Sequence, residues 1–459
     1  MYQFKLQDAL NACGGKFVGD QALLETNLST IIIDSRKVEK DCLFVPIKGE
    51  RVDGHDFIPE VMEKGALCAL STHDLGTVSY PYIQVASTDL ALLAMAKAYR
   101  DSFPDLKVVG ITGSVGKTSS KEMIACVLAQ KYQVHKTLGN LNSTWGLPLS
   151  IFTLKKGDQV SVLEMGVNHH GEMLEMTKSA SPDIAVITNI GVAHLEFFKT
   201  QAGILKEKAT MLEGLKEGGS IILNGDDPLL KKVLPYKGIA PKLFGLDKTL
   251  DISATEVESL GLRGSRFLLT LPEGEPFTCT VPVPGKHMIL NALAAASVGD
   301  ALGLSAKEIA AGIAAYEPLP GRNHIIDTKQ IIIVDDCYNA NPVSTKAALQ
   351  VLSLGIGRKV AILGDMGELG ADECSLHEDV GKFAADIGIN VIIGIGTLCR
   401  FLVDGVDKEQ DHVKAMWFET KEDFLKEIHQ IIEVGDNVLV KASNGMNFPV
   451  IVDKLKELF

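Results

Sequence analysis

The sequence predicts an α/β protein of three domains, and three observations carry that prediction. Short β-branched runs that end in polar or glycine residues alternate with helical segments, which is typical of buried parallel strands. One of these strands, at Lys107–Thr112, leads through a glycine-containing turn into a helix. At Glu317–Arg322 two prolines and a glycine interrupt the alternation, and a second alternating set follows.

Length, charge and cysteine spacing restrict the class of protein. A chain of 459 residues is too long for one core and indicates roughly two to four domains. The net charge of −13 argues against a nucleic-acid partner, whose binding depends on Lys and Arg. No stretch of about 18 uncharged apolar residues is present, and the first segment contains Asp8 without an apolar core, so neither a membrane span nor a signal peptide is expected. The eight cysteines form no C-x-x-C pair, which favours free thiols in a reducing cytoplasm over a zinc site.

The first domain is predicted to cover residues 1–84 and to be small and mixed α/β. Strands are expected at Thr30–Ile33 and Cys42–Pro46, and a helix is expected near Phe57–Lys64. A further helix over Ser87–Asp105 leads into the strand before the glycine turn.

The central domain, residues 85–318, is predicted to be a parallel sheet of the mononucleotide-binding type. Its expected strands are Lys107–Thr112, Val160–Glu164, Ile184–Thr188 and Ser220–Asn224. Alternating apolar and polar residues over 252–283 predict an antiparallel excursion. Helices follow at Asn291–Leu302 and Ser305–Tyr316, the second opened by a Ser-x-x-Glu capping box.

The last domain, residues 319–459, is predicted to be a Rossmann-like, doubly wound sheet. Its expected strands are Ile331–Asp335, Lys359–Leu363, Asn390–Ile395 and Asn437–Lys441. Ligands of such sheets bind at the carboxyl ends of the strands, so a ligand is expected between the domains.

The turn after Lys107–Thr112 has the properties of a phosphate-binding loop. Backbone N–H groups and the helix N-terminus would face the phosphates, Lys117 would add a charge, and Thr118 would reach Mg²⁺. A strict P-loop would have glycine at position 111, where Ile111 stands. An ordinary strand–turn–helix that ends in Gly-Lys-Thr is therefore the alternative.

Other candidate residues follow strands, and each has a structural alternative. Glu164 could hold Mg²⁺ or could form a cap or salt bridge. His194 could serve a metal or phosphate or could be structural, and Lys206 and Lys208 would by default lie on a solvated helix face. The acidic and amide residues of Asp335–Pro342 could bind ribose or substrate, or could form a plain Asn-Pro turn.

An ordered set of motifs runs through nearly the whole chain. In chain order the motifs are Asp34–Arg36, Leu43–Val45, Lys48–Glu50, Asp53–Phe57, Gly110–Ser119, Gly139–Asn142, Glu164–Gly166, Asn189–His194, Pro284–His287, Asn291–Leu293, Pro320–Arg322, Asp335–Pro342 and Leu363–Gly370. The set resembles the Mur ligases of bacterial cell-wall synthesis, including their irregular glycine spacing in the phosphate loop. The resemblance implies UDP-sugar-peptide binding by the first domain, ATP binding by the central one and a ligase role for the last.

The resemblance also implies site residues. Phosphates of ATP would be held by Gly113, Ser114, Val115, Gly116, Lys117, Thr118 and Ser119. The rest of the nucleotide would meet His287, Asn291 near adenine, Arg322 at the phosphates and Asp336 at the ribose. Two Mg²⁺ sites would use Thr118, Glu164, His194 and Lys208, the last as a carbamate formed with CO₂. The implied catalytic residues are Lys117, Lys208, His194 and Arg322. The implied substrate-binding residues are Ser35, Arg36, Asp53, Gly54, His55, Asn140, Asn142, Tyr338, Asn339 and Asn341.

The implied reaction is ATP-driven amide formation between D-alanyl-D-alanine and UDP-N-acetylmuramoyl-tripeptide through an acyl phosphate, by a cytoplasmic monomer. The tripeptide could end in lysine or diaminopimelate. A relative that adds the third amino acid is the nearest alternative, but its Asp-Asn-Pro-Arg motif is absent from the last domain. A non-catalytic nucleotide-binding scaffold is the alternative from another class. Two positions depart from the family pattern: Asn444 stands where relatives carry Arg, and Thr210 where they often carry Glu.

Overall fold

The computed structural model describes residues 1–49, 51–191, 195–406 and 413–459. Three sheets follow one another along the chain, each with helices packed on it, which confirms the predicted mixed α/β class and its three sheet-containing regions. Within the described residues, no helix combines the length and apolar character needed to cross a bilayer.

The first sheet has five short strands in the order β1-β5-β4-β3-β2, with β1 antiparallel and the others parallel. Its strands are β1 (Lys16–Val18), β2 (Ile31–Ile32), β3 (Leu43–Phe44), β4 (Cys68–Ser71) and β5 (Tyr82–Gln84). Its helices are α1 (Leu6–Cys13) and α2 (Ile58–Glu63), and α3 (Thr88–Asp101) follows. The sequence prediction missed β1, β4 and β5, because strands of three or four residues show too few alternations to be recognised.

The central sheet has nine strands in the order β14-β13-β12-β11-β10-β9-β6-β8-β7. Its strands are β6 (Lys107–Thr112), β7 (Val134–Lys136), β8 (Val160–Glu164), β9 (Ile184–Ile187), β10 (Ser220–Asn224), β11 (Lys242–Gly245), β12 (Ile252–Ser259), β13 (Ser265–Thr270) and β14 (Phe277–Val281). Strands β6 to β12 are parallel, and β12 to β14 form the predicted antiparallel excursion.

Seven helices accompany the central sheet in the described part of the chain. They are α4 (Lys117–Leu128), α5 (Gly146–Ile151), α6 (Glu172–Ala180), α7 (Leu195–Phe198), α8 (Gln201–Ala209), α9 (Lys286–Ala301) and α10 (Ala306–Ala314). Helix α9 begins before the predicted Asn291, directly after Gly285, whose φ of +110° ends the preceding loop. Helix α10 has the predicted capping box between Ser305 and Glu308.

The last sheet has six strands in the order β15-β16-β20-β17-β18-β19, all parallel except β15. Its strands are β15 (His324–Asp327), β16 (Ile332–Asp335), β17 (Lys359–Gly364), β18 (Val391–Ile395), β19 (Lys414–Phe418) and β20 (Asn437–Lys441). Its helices are α11 (Pro342–Ser353), α12 (Glu373–Asp386), α13 (Cys399–Asp404), α14 (Lys421–Ile431) and α15 (Pro449–Leu458). Apolar clusters fill both faces of the sheet, as expected for a doubly wound fold.

One apolar cluster is continuous between the first and central sheets, and helix α3 lies in its middle. Tyr99 of α3 is fully buried; its hydroxyl donates to the carbonyl of Leu154 (2.8 Å) and accepts from the N–H of Tyr2 (2.9 Å). The predicted boundary at residue 84 lies between the strands of the two sheets, but one apolar core contains residues from both sides of it. The division into domains at residues 84 and 318 stays a prediction.

We expect Tyr99→Phe to lower the free energy of unfolding by about 1–3 kcal/mol, because it removes the hydroxyl partner of the buried Leu154 carbonyl and of the partly buried Tyr2 N–H. Urea unfolding followed by circular dichroism measures this. Tyr132→Phe is the matched control, since the Tyr132 hydroxyl makes one bond, to the carbonyl of Leu302, at a half-buried position. An equal effect of the two changes would contradict the prediction.

Candidate active site

The turn after β6, residues 113–116, leads into the N-terminus of α4 and is called the phosphate turn below. Gly116 precedes α4 with a φ of +76°, a conformation that glycine adopts without a steric cost. Among the described residues, no acceptor is recorded for the backbone N–H groups of Gly116, Lys117, Thr118 and Ser119. These four amides at the positive end of a helix dipole can bind an anionic group.

Asn189, directly after β9, fixes the first half of the turn. Its Oδ1 accepts from the N–H groups of Ser114 (3.1 Å) and Val115 (2.9 Å), and its Nδ2 donates to the carbonyl of Val115 (2.8 Å). The N–H of Gly191 donates to the Ser114 hydroxyl (2.8 Å). The amides of Ser114 and Val115 therefore hold the turn together, and the phosphate-binding role predicted for these two residues stays a prediction. Asn189 belongs to the motif Asn189–His194, but the sequence predicts no nucleotide-binding role for it.

Lys117 lies across the same turn, where its Nζ donates to the carbonyl of Gly113 (3.0 Å). Burial lowers the pKa of Lys117; the charge of Glu164 opposes this effect, and the charge of Arg322 adds to it. Arg322 belongs to the last domain, so a cation from that domain faces the turn. Lys117 is thus placed to offset negative charge on a group bound at the helix N-terminus.

Glu164, at the end of β8, is only 1% exposed. Its Oε1 accepts from the Thr118 hydroxyl (3.2 Å) and from Nδ2 of Asn142 (2.7 Å), whereas its Oε2 is buried without a hydrogen-bond partner. The parallel pairing of β6 and β8 sets Ile111 beside Glu164 and so brings the carboxylate to the phosphate turn. A buried carboxylate oxygen without a partner, next to a threonine hydroxyl, fits a divalent cation ligand.

Lys206 and Lys208 have opposite environments on α8. Lys206 is exposed, as the default interpretation predicts, but Lys208 is only 2% exposed. Burial lowers the pKa of Lys208 well below its usual value; the charge of Lys117 lowers it further, and Glu207 opposes the shift. A buried amine with a low pKa is available as the neutral nucleophile that carbamylation needs. His194, predicted as a metal ligand, lies outside the described residues.

Glu207 anchors the helix that carries Lys208. Its carboxylate accepts from the N–H groups of Gly171 (3.0 Å) and Met173 (3.1 Å) at the N-terminus of α6. This cap between two helices fixes the position of α8 relative to the central sheet.

The last domain contributes a stacked arginine. The guanidinium of Arg322 lies 3.6 Å from the ring centroid of Tyr338. Asn444, the departure from the family pattern, donates from Nδ2 to the backbone carbonyl of Tyr338 (3.1 Å) and so holds the main chain of the residue on which Arg322 stacks. The structure thus places Arg322, predicted for the phosphates, against Tyr338, predicted separately for the substrate, and both binding roles stay predictions.

Asp336 is held by its own domain. Its Oδ2 is paired with Nζ of Lys441 (2.6 Å), and its Oδ1 accepts from the N–H of Asn323 (3.0 Å). Lys441, which sequence reasoning did not select, also donates to the carbonyl of Asn339 (2.9 Å). Each Asp336 oxygen keeps a further lone pair, so contact with a ribose stays a prediction.

Helix α9 carries the two predicted nucleotide residues of the central domain. Burial lowers the pKa of His287, while the charge of Asp336 raises it and that of Lys441 lowers it. Asn291 accepts through Oδ1 from the Ser120 hydroxyl (2.7 Å), one turn into α4. His287 therefore lies beside the last domain and Asn291 beside the phosphate turn; contact with adenine stays a prediction.

Several predicted substrate-binding residues make local contacts. Asn341 caps α11 through a hydrogen bond from the Ser344 N–H (2.9 Å), and Asn339 Oδ1 accepts from the N–H of Ala340 (2.9 Å). The Asn-Pro alternative therefore accounts for Asn341 structurally. Asn140 is exposed, whereas Asn142 reaches Glu164. The binding roles of these residues stay predictions.

The first domain has two short capped turns. Asp34 accepts from the N–H, Nε and Nη2 of Arg36, and these hydrogen bonds lower the pKa of Asp34 to about 2. Arg36, next to Ser35, is 87% exposed and so available to a ligand. In the turn Asp53–His55, Nδ1 of His55 lies 2.6 Å from Asp53, and Nε2 accepts from the N–H of Thr72 (3.2 Å). Gly54 is required here because a Cβ would lie 2.6 Å from the backbone nitrogen of Ile47.

Comparison with known proteins agrees with this architecture. Family models match residues 27–103 (Mur ligase family, catalytic domain), 111–299 (Mur ligase middle domain) and 321–444 (Mur ligase, glutamate ligase domain). A UDP-N-acetylmuramoyl-tripeptide–D-alanyl-D-alanine ligase of Bacillus subtilis (strain 168) is 35% identical over 438 residues, covering 94% of each chain. A crystal structure of MurF from Acinetobacter baumannii is 31% identical, with a TM-score of 0.91 over 99% of both chains. A MurF ligase from Thermotoga maritima in complex with ADP is 29% identical, with a TM-score of 0.83 over 94% of this chain and 97% of that one.

The phosphate turn, the buried carboxylate and these matches define the class of protein, an ATP-dependent peptide ligase. Identity of 35% across nearly the whole length then decides the family. The chain belongs to the Mur ligase family.

We expect Asn189→Ala to weaken ADP binding by about tenfold or more, because the N–H and the carbonyl of Val115 lose their side-chain partner and the turn loses its shape. The N–H of Ser114 keeps one of its two acceptors, the backbone carbonyl of residue 189. Isothermal titration calorimetry with ADP and Mg²⁺ measures this. Asn390→Ala is the control: Asn390 Oδ1 likewise accepts from a backbone N–H, that of Lys359 (2.9 Å), but far along the last sheet. Unchanged ADP affinity in Asn189→Ala would show that Asn189 does not shape the binding turn.

Proposed function

We propose that this protein joins D-alanyl-D-alanine to UDP-N-acetylmuramoyl-tripeptide with ATP, as the names of its relatives in the family indicate. The observation that carries the chemistry is the free Oε2 of Glu164 beside Thr118, at the end of a strand that adjoins the open N-terminus of α4. That arrangement supports binding of a nucleotide phosphate together with a divalent cation.

Amide formation from a carboxylate requires activation, because an oxide is too poor a leaving group. Transfer of the γ-phosphoryl group to the tripeptide carboxylate breaks the terminal P–O bond of ATP and gives an acyl phosphate and ADP. The amine of the dipeptide then attacks the acyl carbon, loses a proton and expels phosphate. This sequence needs no side-chain nucleophile, so positioning and charge stabilisation carry the rate.

The chain's own residues supply that positioning. The free amides from Gly116 to Ser119 would bind phosphate oxygens, and Lys117 would release its bond to Gly113 to meet the transferring group. Arg322 would offset charge from the other side, since its charge already acts on Lys117. Closure of the last domain on the central one would complete the site.

Thr118 and Glu164 fit a Mg²⁺ ligand set, and we propose that His194 and Lys208 contribute further ligands to the two Mg²⁺ sites. When bound, Mg²⁺ would neutralise charge on the phosphate oxygens. Lys208 would bind as a carbamate, because its buried amine is deprotonated easily and can add CO₂ to become an anionic oxygen ligand. The cytoplasmic location and the monomeric state stay predictions.

We expect the purified protein to form ADP and a UDP-linked pentapeptide only when UDP-N-acetylmuramoyl-tripeptide, ATP and D-alanyl-D-alanine are all present. Lys117→Ala should lower the rate by about 10²–10³-fold, because a cation at the transferring phosphoryl group is lost. Coupled ADP detection and mass spectrometry of the product measure both. Strict use of one free amino acid with the UDP-dipeptide would instead assign the protein to the step that adds the third residue.

Lys208→Ala should also lose most activity, and small carboxylates such as formate or acetate should restore part of it by replacing the carbamate oxygens. Lys206→Ala is the control, since Lys206 is exposed on the same helix. The initial rate with and without about 0.1 M formate, at constant ionic strength, measures the rescue. Absence of rescue by either anion would argue against a carbamate.

A further inference from the structure

Lys121, one turn into α4, is a fully buried lysine that the proposed reaction does not use. Its Nζ donates to the carbonyl of Thr137 (2.7 Å) and is paired with Oε1 of Glu122 (3.0 Å). A buried ammonium needs such partners, because its desolvation is costly. Its nearest further carboxylate is that of Glu164.

The distance from Lys121 Nζ to Glu164 Oε2 is 3.9 Å, which exceeds a hydrogen bond. Oε2 is the oxygen without a partner, the one left for a cation. An ammonium that moved by about an ångström would donate to this oxygen and occupy a lone pair there. Other groups must therefore keep the Lys121 ammonium beyond hydrogen-bond distance of Glu164 Oε2.

Glu122 provides that restraint. It is mostly buried, its Oε1 faces Lys121, and its Oε2 is paired with Nζ of Lys136 at the end of β7. The charges alternate along the row Lys136, Glu122, Lys121, Glu164. The carboxylate of Glu122 and the carbonyl of Thr137 are closer to the ammonium than Glu164 is, and both compete with Glu164 for it.

We propose that Glu122 is a positioning residue for the divalent cation: it holds the Lys121 ammonium off Glu164, so that Oε2 stays free to bind metal. The inference deepens the proposed function and rests on the assignment of Glu164 as a Mg²⁺ ligand. A purely structural ion pair would affect stability alone.

Glu122→Gln tests the inference, because it keeps the shape of the side chain and removes its charge. Within the described residues, Glu164 is then the one carboxylate left within 4.0 Å of the Lys121 ammonium, which competes with Mg²⁺ for Oε2. The measurement is calorimetric titration with β,γ-methylene-ATP in Mg²⁺ and in EDTA. The dissociation constant in EDTA divided by that in Mg²⁺ gives the contribution of Mg²⁺ to binding. We expect Glu122→Gln to reduce this ratio about tenfold, which is ~1.4 kcal/mol.

The double variant Glu122→Gln with Lys121→Met removes the competing ammonium as well. We expect its ratio to return to within about threefold of the wild type, a change of less than 1 kcal/mol. Lys136→Met is the matched control: it breaks the far end of the row and should leave the ratio within about twofold. Thermal unfolding confirms that each variant is folded. If Glu122→Gln alone does not fold, the double variant decides, and a tenfold loss there overturns the inference.

Two results separate this inference from the assignment on which it rests. If Glu164→Gln has the same ratio as the wild type, or if Mg²⁺ does not tighten wild-type binding, the metal role of Glu164 fails and the inference fails with it. If Glu164→Gln abolishes the Mg²⁺ contribution but Glu122→Gln does not reduce it, only the inference is overturned. Equal losses in the single and the double variant also overturn it, because they indicate structural damage.

Discussion

A carboxylate taken out of water must be hydrogen-bonded, paired or bound to a cation, and in this protein that requirement falls on Glu164. Thr118 and Asn142 satisfy one oxygen, and Lys121 stays beyond hydrogen-bond distance of the other. The pairing of β6 with β8 places this partly satisfied group beside the four free amides of α4. The site therefore has backbone amides that can bind an anion next to a carboxylate that can bind a cation. Magnesium nucleotides contain both.

The sequence was sufficient for the central features of the fold. Long β-branched strands such as Lys107–Thr112 and Val160–Glu164 lie as predicted, because full burial requires an apolar run that is easily recognised. Short strands such as β1 and β5 were missed, since pairing with distant segments stabilises them and local pattern does not. The resemblance implied a shared Mg²⁺ role for Thr118 and Glu164, and the two side chains are neighbours because the parallel strands β6 and β8 end at the same edge of the sheet.

Roles that depend on long-range packing could not be predicted. Lys206 and Lys208 belong to the same charged stretch, yet only the packing of α8 decides that one is exposed and the other buried. In the sequence, Asn189 and Lys441 are polar residues at strand ends with no distinguishing pattern. The fold brings Asn189 to the phosphate turn and Lys441 to Asp336. Asn444, which a family pattern marks as a loss, has a local use as the support of Tyr338.

The core that passes through α3 has a mechanical consequence. Rotating the first sheet against the second would separate apolar side chains around Tyr99 and expose them to water. Among the described residues, the central domain adds only the partly buried Leu262 to the clusters of the last sheet. We therefore expect the first two sheets to move as one unit and the last sheet to be the part that rotates relative to them. Opening that releases a product would then carry Arg322 and Tyr338 away together, leaving the turn and Glu164 undisturbed for the next nucleotide.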